Sequence, residues 1–159
     1  LQKMALQSSN GWQASSDQNA IGIKSYPVKG TQIKLRCAEK VAPLLIGFAE
    51  EFNELIEPID GATLDDWGYC FRNVRGSRDK LSNHASGTAI DLNSTRHPLG
   101  KVGTFPPEKV PMIRALAKKY GLRWGGDFNS RPDEMHFEIN LSEAKVAALI
   151  GSLKQKETQ

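Results

Sequence analysis

Apolar residues recur at helical spacing in several stretches of the chain. The longest runs from Ala38 to Ile56 and predicts a helix buried on one side. Pro43 lies close enough to its start to fit a first turn. Pro58 ends the pattern, because the residue before a proline is pushed out of the helical region. We therefore expect a core helix here.

Two further helices are marked by boundary residues. Pro106 and Pro107 open one of them, and Gly121 stands at the position after its last turn. Ser142 is a suitable N-cap for a final helix, whose apolar stripe extends to Leu153.

Shorter apolar segments predict strands at residues 67–71, 87–92, 122–124 and 134–139. In the last of these, the apolar odd-numbered residues are predicted to face the core, and Glu134, His136 and Glu138 to face away from it. Helices and strands alternate without βαβ regularity. The pattern therefore predicts an α+β fold with a small antiparallel sheet flanked by helices.

The first part of the chain differs from the rest. Residues 1–30 are polar and show no sustained periodicity, so we predict an N-terminal arm that is at best partly ordered, followed by one domain at residues 31–159. A chain of 159 residues is large enough to bury a core without disulfides or structural metals. Cys37 and Cys70 are predicted to be buried free thiols, although a single disulfide stays open if the protein matures outside the cytoplasm.

Composition excludes some classes of partner. The apolar content of 39% is ordinary for a globular chain, and the net charge of +3 is too small to indicate nucleic acid by itself. The basic residues between Arg72 and Lys80 have no interleaved aromatic residues, so we predict no nucleic-acid patch there. No apolar stretch reaches the length of a membrane span, so no membrane insertion is expected. A mildly basic protein does suit an anionic polymer as substrate.

The candidate chemistry lies in two of the three histidines and one aspartate. His84 is followed seven residues later by Asp91, and His136 lies on a predicted strand further along the chain. Two imidazoles and one carboxylate suit zinc, and three protein ligands leave a fourth position for water, as in catalytic zinc sites. By residue type alone, a strand histidine beside carboxylates is more often a surface residue whose hydrogen bonds are satisfied. His97 is predicted to be a loop histidine without a ligand role.

Two motifs carry a family resemblance. The pattern S-x-H-x-x-G-x-A-x-D at residues 82–91, followed by D-x-x-H-F-E at residues 133–138, resembles the VanY/VanX-type zinc D-Ala-D-Ala carboxypeptidases. Their relatives include phage endolysins that cut the L-alanyl-D-glutamate bond. The similarity covers about residues 72–139, and its motifs are specific in both spacing and order.

The resemblance implies a site and a fold. His84, Asp91 and His136 would bind one zinc ion per chain, and Asp133 would be the general base. The implied fold is the hedgehog-like fold of the zinc DD-peptidases, which agrees with the α+β class predicted from the pattern.

It also implies substrate contacts. Arg72 resembles the family arginine that binds substrate near the metal, and Ser82 matches a serine that hydrogen-bonds substrate or intermediate. Two departures are present. Met135 stands where many members have tryptophan, and Asp133 stands where some have glutamate, whereas the endolysin-like members tend to have aspartate.

Strand periodicity and family spacing disagree about the base. In a regular strand Glu134 shares a face with His136, while Asp133 points the opposite way. The conflict disappears if the regular strand begins only after Asp133, and we predict Asp133 as the base. Glu138 shares the face of His136, and its role as a metal-supporting carboxylate or a solvated one stays open.

The resulting expectation is a monomeric zinc peptidase that acts on the peptidoglycan stem peptide at the bacterial cell wall. An L-alanyl-D-glutamate endopeptidase of endolysin type is favoured. The alternatives are a D-Ala-D-Ala carboxypeptidase and, in a different class, a non-catalytic zinc-containing wall-binding module. The route of export is not visible in this sequence.

Overall fold

A computed structural model describes residues 6–59 and 62–158 of the chain. The strands are β1 (Ile23–Pro27), β2 (Lys34–Ala38), β3 (Ala89–Asp91), β4 (Leu122–Trp124) and β5 (His136–Ile139). The helices are α1 (Ala42–Leu55), α2 (Val110–Lys119) and α3 (Glu143–Glu157). The predicted α+β class with small antiparallel sheets is confirmed.

The strands form two separate antiparallel sheets. β1 and β2 pair as a hairpin, and the second sheet has the order β3-β5-β4, with β5 in the middle. The register of this second sheet places Asp91 directly opposite His136 and Arg123 opposite Glu138. Pairing therefore brings together residues that are far apart in the sequence.

The core lies between α1 and the three-stranded sheet. Phe48 and Phe52 of α1 are fully buried, and the ring centroids of Phe48 and Phe137 are 4.5 Å apart. These residues follow the helical spacing that predicted α1, and Pro43 sits in its first turn, where no backbone donor is needed. The contact of Phe137 with α1 packs the strand that carries His136 against the core.

The two later helices begin near the predicted boundary residues, and the first of them ends where Gly121 predicted. α2 follows a short 3-10 turn that starts at Pro107, and Gly121 after it has a φ of 70°. Ser142 caps α3, because its side chain accepts a hydrogen bond from the backbone N–H of Lys145. None of the helices within the described residues is long and apolar enough to cross a membrane.

Two predicted strands need correction. Residues 67–71 form no regular strand, but Trp67 makes an isolated bridge to Asp91 through hydrogen bonds in both directions. β5 begins at His136 rather than at Glu134, because a turn closed by the hydrogen bond from His136 N–H to the carbonyl of Asp133 precedes it.

Residues 6–30 are ordered against the rest of the chain, contrary to the expectation of a partly ordered arm. Trp12 is buried and its Nε1 donates to the carbonyl of Leu141 at 2.9 Å. Asn10 donates to the carbonyl of Ile139, and β1 pairs with β2 along its whole length. The segment is polar because its contacts are largely hydrogen bonds. The division at residue 30 stays a prediction.

The two cysteines differ in their surroundings. Both are free, but only Cys37 is buried, while Cys70 is exposed. Burial raises the pKa of the Cys37 thiol to about 12. The prediction of two buried thiols was therefore wrong for Cys70.

Candidate metal centre and its cleft

His84 lies in a tight 3-10 turn, Asn83–Ser86, whose ends are both specified by the sequence. Ser82 caps the start by accepting a hydrogen bond from the backbone N–H of His84 at 3.2 Å. Gly87 ends the turn with a φ of 69°, and a Cβ there would lie 2.7 Å from the backbone nitrogen of Ala38. Only glycine meets both conditions, so the S-x-H-x-x-G spacing is a requirement of this turn.

A second glycine orients the ring of His84. The Nδ1 of His84 lies 2.8 Å from the carbonyl oxygen of Gly68, which can only accept, so Nδ1 carries the proton. A Cβ at Gly68 would lie 2.0 Å from the carbonyl oxygen of Arg36, which explains the glycine. In the neutral form of the ring, the lone pair then lies on Nε2.

That Nε2 faces Asp91. It lies 3.3 Å from Oδ2 of Asp91, is buried, and has no hydrogen-bond partner among the described residues. On the other side, Oδ1 of Asp91 lies 3.0 Å from Nδ1 of His136. The ring centroids of His84 and His136 are 5.1 Å apart. One ligand atom from each of the three residues lies within 4.8 Å of the other two. Strand register accounts for this meeting, since Asp91 and His136 are paired across β3 and β5.

Glu138 supports His136 from behind. Its Oε1 lies 2.6 Å from Nε2 of His136, so that nitrogen donates to the carboxylate and Nδ1 is left facing Asp91. A carboxylate that binds the outer nitrogen of a ligating histidine is typical of zinc sites. Burial works against ionisation of Glu138, but His136, Asn83 and Arg123 together hold its pKa below the ordinary value.

The electrostatics of the cluster favour a cation. Burial disfavours the ionised form of Asp91, yet His84 and His136 outweigh it and hold its pKa well below the usual range. Burial would lower the pKa of His136, but hydrogen bonds to Asp91 and Glu138 raise it to about 10. Metal ligands bind in their deprotonated forms, so a metal ion would replace the proton held here.

The donor set fits zinc. The unpartnered, buried Nε2 of His84 faces a carboxylate oxygen, so two acceptors meet where a cation would satisfy both. Two imidazole nitrogens and one carboxylate oxygen are ligands that zinc takes, and three such ligands leave a coordination position open. His84, Asp91 and His136, the residues predicted from the motifs, could therefore hold the metal.

The turn before β5 directs the side chains of Asp133 and Glu134 to different places. Asp133 lines the cleft, and its Oδ1 is buried without a hydrogen-bond partner within residues 6–59 and 62–158. Glu134 points elsewhere, since its carboxylate accepts from the backbone N–H groups of Gly103 and Thr104. Periodicity therefore misassigned Glu134 to the face of His136, because the regular strand starts after it.

The surroundings of Asp133 suit a proton acceptor. Burial raises its pKa and outweighs the opposing effect of His136, while the negative charge of Asp91 acts in the same direction as burial. A carboxylate with a raised pKa accepts a proton more readily than a solvated one does.

A cleft of about 730 Å³ surrounds the cluster. Arg72 and Ser82, predicted as substrate contacts, both line it, together with Asp133. The guanidinium of Arg72 donates to the carbonyl of Asn73 at 3.2 Å, and its charge acts on the carboxyl of Asp133. The hydroxyl oxygen of Ser82 accepts from the backbone of His84, so this residue also supports the metal-binding turn.

Sequence reasoning missed two parts of this cleft. Arg123 lines it from β4, opposite Glu138, with its guanidinium 4.5 Å from the centroid of the Phe128 ring. Trp67, which pairs with Asp91, also lines the cleft, and it is 51% exposed. The alternation of Leu122, Arg123 and Trp124 could have placed Arg123 on the cleft face of the sheet, but only once the strand order was known.

Comparisons with known proteins agree with the resemblance drawn from the motifs. A family model described as D-alanyl-D-alanine carboxypeptidase matches residues 75–139, which is less than half of the chain. The match includes all three candidate metal ligands and Asp133. Comparison with curated proteins gave no significant match, and neither did comparison with solved structures.

Proposed function

We propose that this peptidase, whose residues 75–139 match the D-alanyl-D-alanine carboxypeptidase family, is a zinc enzyme that cuts the L-alanyl-D-glutamate bond of the peptidoglycan stem peptide. The observation that carries the proposal is the buried group of His84, Asp91 and His136 beside the unpartnered carboxylate oxygen of Asp133. Peptide hydrolysis needs a metal site and a proton acceptor in one cleft, and the four side chains supply both.

One zinc ion would be held by Nε2 of His84, a carboxylate oxygen of Asp91 and Nδ1 of His136. A zinc ion in this position supplies Lewis acidity, which makes a water molecule more acidic and a peptide carbonyl more electrophilic. Glu138 keeps His136 in the required tautomer through its bond to Nε2.

Asp133 moves the proton. Its Oδ1 takes a proton from the attacking water and returns it to the nitrogen of the leaving amine. The burial that raises its pKa favours the first transfer, and the same carboxylic acid is then available as the proton donor.

Cationic side chains on the cleft would hold the substrate. Arg72, Arg75, Lys80, Arg123 and Arg131 all line it. A guanidinium can bind a carboxylate through two parallel hydrogen bonds, which suits the free carboxylates of a stem peptide. We assign Arg72 to the substrate carbonyl or carboxylate nearest the metal and the hydroxyl of Ser82 to a hydrogen bond with substrate.

Asp133 favours an endopeptidase, because the endolysin-like relatives tend to have aspartate at this position. The lining of the cleft also extends beyond the three metal ligands, to Met135 just before β5 and to Arg131. An endopeptidase must accommodate peptide on both sides of the scissile bond, whereas a carboxypeptidase binds a chain end. The description of the matching family favours the second candidate, a D-Ala-D-Ala carboxypeptidase.

Digestion of purified peptidoglycan with the zinc-loaded protein tests the proposal, with the Asp133→Asn protein as the matched control. Mass spectrometry should find new amino-terminal D-glutamate and carboxy-terminal L-alanine in the wild-type digest alone. Release of free D-alanine would instead establish the carboxypeptidase. Retention of the protein on the polymer with no new termini would mean a non-catalytic wall-binding module. The protein is expected to act as a monomer at the cell wall.

A further inference from the structure

Five polar residues, three of them buried, form a hydrogen-bonded chain next to the strands of the metal cluster. We call Asn93, Glu57, His97, Thr104 and Glu134 the polar chain. Nδ2 of Asn93 donates to Oε2 of Glu57 at 2.7 Å, and Nε2 of His97 lies 2.7 Å from the same oxygen. Nδ1 of His97 lies 2.6 Å from Oγ1 of Thr104, whose hydroxyl donates to Oε1 of Glu134. The cleft lining includes none of these five residues.

The two ends of the polar chain attach to the two strands that carry metal ligands. Asn93 follows β3, two residues after Asp91, and has a φ of 50°, which is uncommon for a residue other than glycine. Glu134 precedes β5, two residues before His136. The polar chain therefore connects the end of one ligand strand with the start of the other.

Burial of the polar groups in this chain costs the folded protein free energy. His97 is 1% exposed and stacks on Phe105 with ring centroids 3.7 Å apart, and Glu134 is 6% exposed. Buried polar groups cost free energy unless each finds its partners, and well-packed apolar side chains would stabilise as much or more. A fully connected network does hold its members rigidly, however. The metal site would benefit from a rigid connection between the two strands that carry its ligands.

The hydrogen bonds that hold Glu134 also determine where the side chain of Asp133 points. The carboxylate of Glu134 accepts from Gly103 N–H at 3.1 Å, from Thr104 N–H at 2.8 Å and from the Thr104 hydroxyl. Its carbonyl accepts from Nε1 of Trp124 at 2.9 Å. With Glu134 fixed on the side away from the cleft, the adjacent Asp133 is turned toward the metal group.

Backbone hydrogen bonds hold the main chain of this turn but not the side chain of Asp133. Asp133 N–H donates to the carbonyl of Gly125, and His136 N–H closes the turn on the carbonyl of Asp133. The carbonyls of Pro132 and Met135 also accept backbone hydrogen bonds. None of these bonds restrains the side chain of Asp133, whose Oδ1 has no hydrogen-bond partner within the described part of the chain. The carboxylate that must accept a proton is thus oriented by its neighbour.

We propose that Glu134, held by Thr104 and through it by His97, is a positioning residue that aims Asp133 at the metal cluster. This rests on the proposed function in one respect, namely that Asp133 is the general base. Glu134 itself touches neither the metal group nor the cleft.

Two variants test the polar chain in the zinc-loaded protein. Glu134→Ala removes the carboxylate that accepts these hydrogen bonds, and Thr104→Val removes the hydroxyl at nearly constant volume. We expect kcat on peptidoglycan fragments to fall about tenfold or more in Glu134→Ala and about threefold in Thr104→Val, since a small misplacement of a reacting group costs rate. KM and zinc content should stay at wild-type values.

Two controls separate positioning from loss of stability. Glu134→Gln should recover most of the rate, because an amide oxygen still accepts from both groups of Thr104. Val146→Ala, at a buried position of α3, should lower the melting temperature but leave kcat unchanged. Wild-type kcat in Thr104→Val and Glu134→Ala below their melting temperatures would overturn the proposal. If Glu134→Ala does not fold, Thr104→Val decides.

A structural readout is independent of activity. Crystal structures of metal-free wild type and Thr104→Val should show the Asp133 carboxylate displaced from the cleft in the variant. An unchanged carboxylate would overturn the positioning role. If the wild type cuts no wall peptide while the displacement is seen, the proposed function fails and the positioning role stands.

Discussion

The two faces of the sheet β3-β5-β4 share one backbone and have opposite chemistry. On the core face, Phe137 and Ile139 are fully buried, and Phe137 packs on Phe48 of α1. On the cleft face, His136 and Glu138 alternate with them and join Asp91 of the neighbouring strand. The apolar face is stabilised by burial, at about 25 cal/mol per Å² of apolar surface.

The cleft face gathers charges at close range, which stabilises the fold only weakly unless a cation joins them. The comparison shows that residues one position apart on β5 serve separate purposes. Substitutions on the two faces should therefore have effects that can be told apart.

The largest contrast is between His136→Ala and Phe137→Ala. The first variant, like His84→Ala, should lose nearly all bound zinc, because it removes a ligand. Phe137→Ala should cost about 3–5 kcal/mol of unfolding free energy through the cavity it leaves, yet bind one zinc per folded chain. Metal analysis and denaturant unfolding of the three variants measure both quantities. A full equivalent of zinc in either histidine variant would contradict the ligand assignment.

Removal of the metal should affect stability through the cleft face alone. A ligand that binds only the folded state at about 1,000 times its Kd stabilises it by about 4 kcal/mol. For a chain of this length that corresponds to roughly 8–16 °C of melting temperature, at about 2–4 °C per kcal/mol. Treatment with a chelator should lower Tm and abolish activity together, and added zinc should restore both. Equal Tm values with and without chelator would count against a bound metal in solution.

Asp133→Asn should separate catalysis from both metal and fold. An amide cannot take the proton of the attacking water, so we expect kcat to fall about a hundredfold or more with zinc content unchanged. Glu134→Gln should stay within a few-fold of wild type. Steady-state kinetics of the two variants provide the measurement. A dead Glu134→Gln beside an active Asp133→Asn would reverse the two roles.

The smallest effect is expected at the rim of the cleft. Arg72→Lys keeps the positive charge but loses the planar pair of donors, which is not a conservative change where a guanidinium binds two oxygens. Cleavage should fall about tenfold, or about 1.4 kcal/mol, with zinc content unchanged. Wild-type kinetics in this variant would transfer the role to another cation of the cleft, and Arg123→Lys is the next variant to compare.

Local signals predicted much of the fold. The helix containing Phe48 and Phe52 was found because its apolar residues repeat with the helix itself, and Ser142 marked the next N-terminus because capping acts within one turn. β1 and β2 were missed. β1 has only Ile23 fully buried, so the alternation that identifies a strand is weak there, and its partner lies beyond a turn.

The candidate site shows the same division. His84 and Asp91 lie close in the sequence, and the turn between them is specified by Ser82 and Gly87, so a motif was enough to predict them. Whether Asp133 or Glu134 enters the cleft depends on where β5 begins. Strand periodicity answered that question wrongly for Glu134, because a turn precedes the strand.

By itself, the sequence determined the α+β class and the helices, since spacing within a turn or a strand controls them. The residues that could bind a metal were named by the family resemblance of its two motifs. Tertiary structure alone decided that Asp91 lies opposite His136. It also decided that Glu57, His97 and Glu134 belong to one polar chain. These contacts join residues dozens of positions apart. Their partners are chosen by strand register and by the need to satisfy buried polar groups, and neither leaves a periodic trace in the sequence.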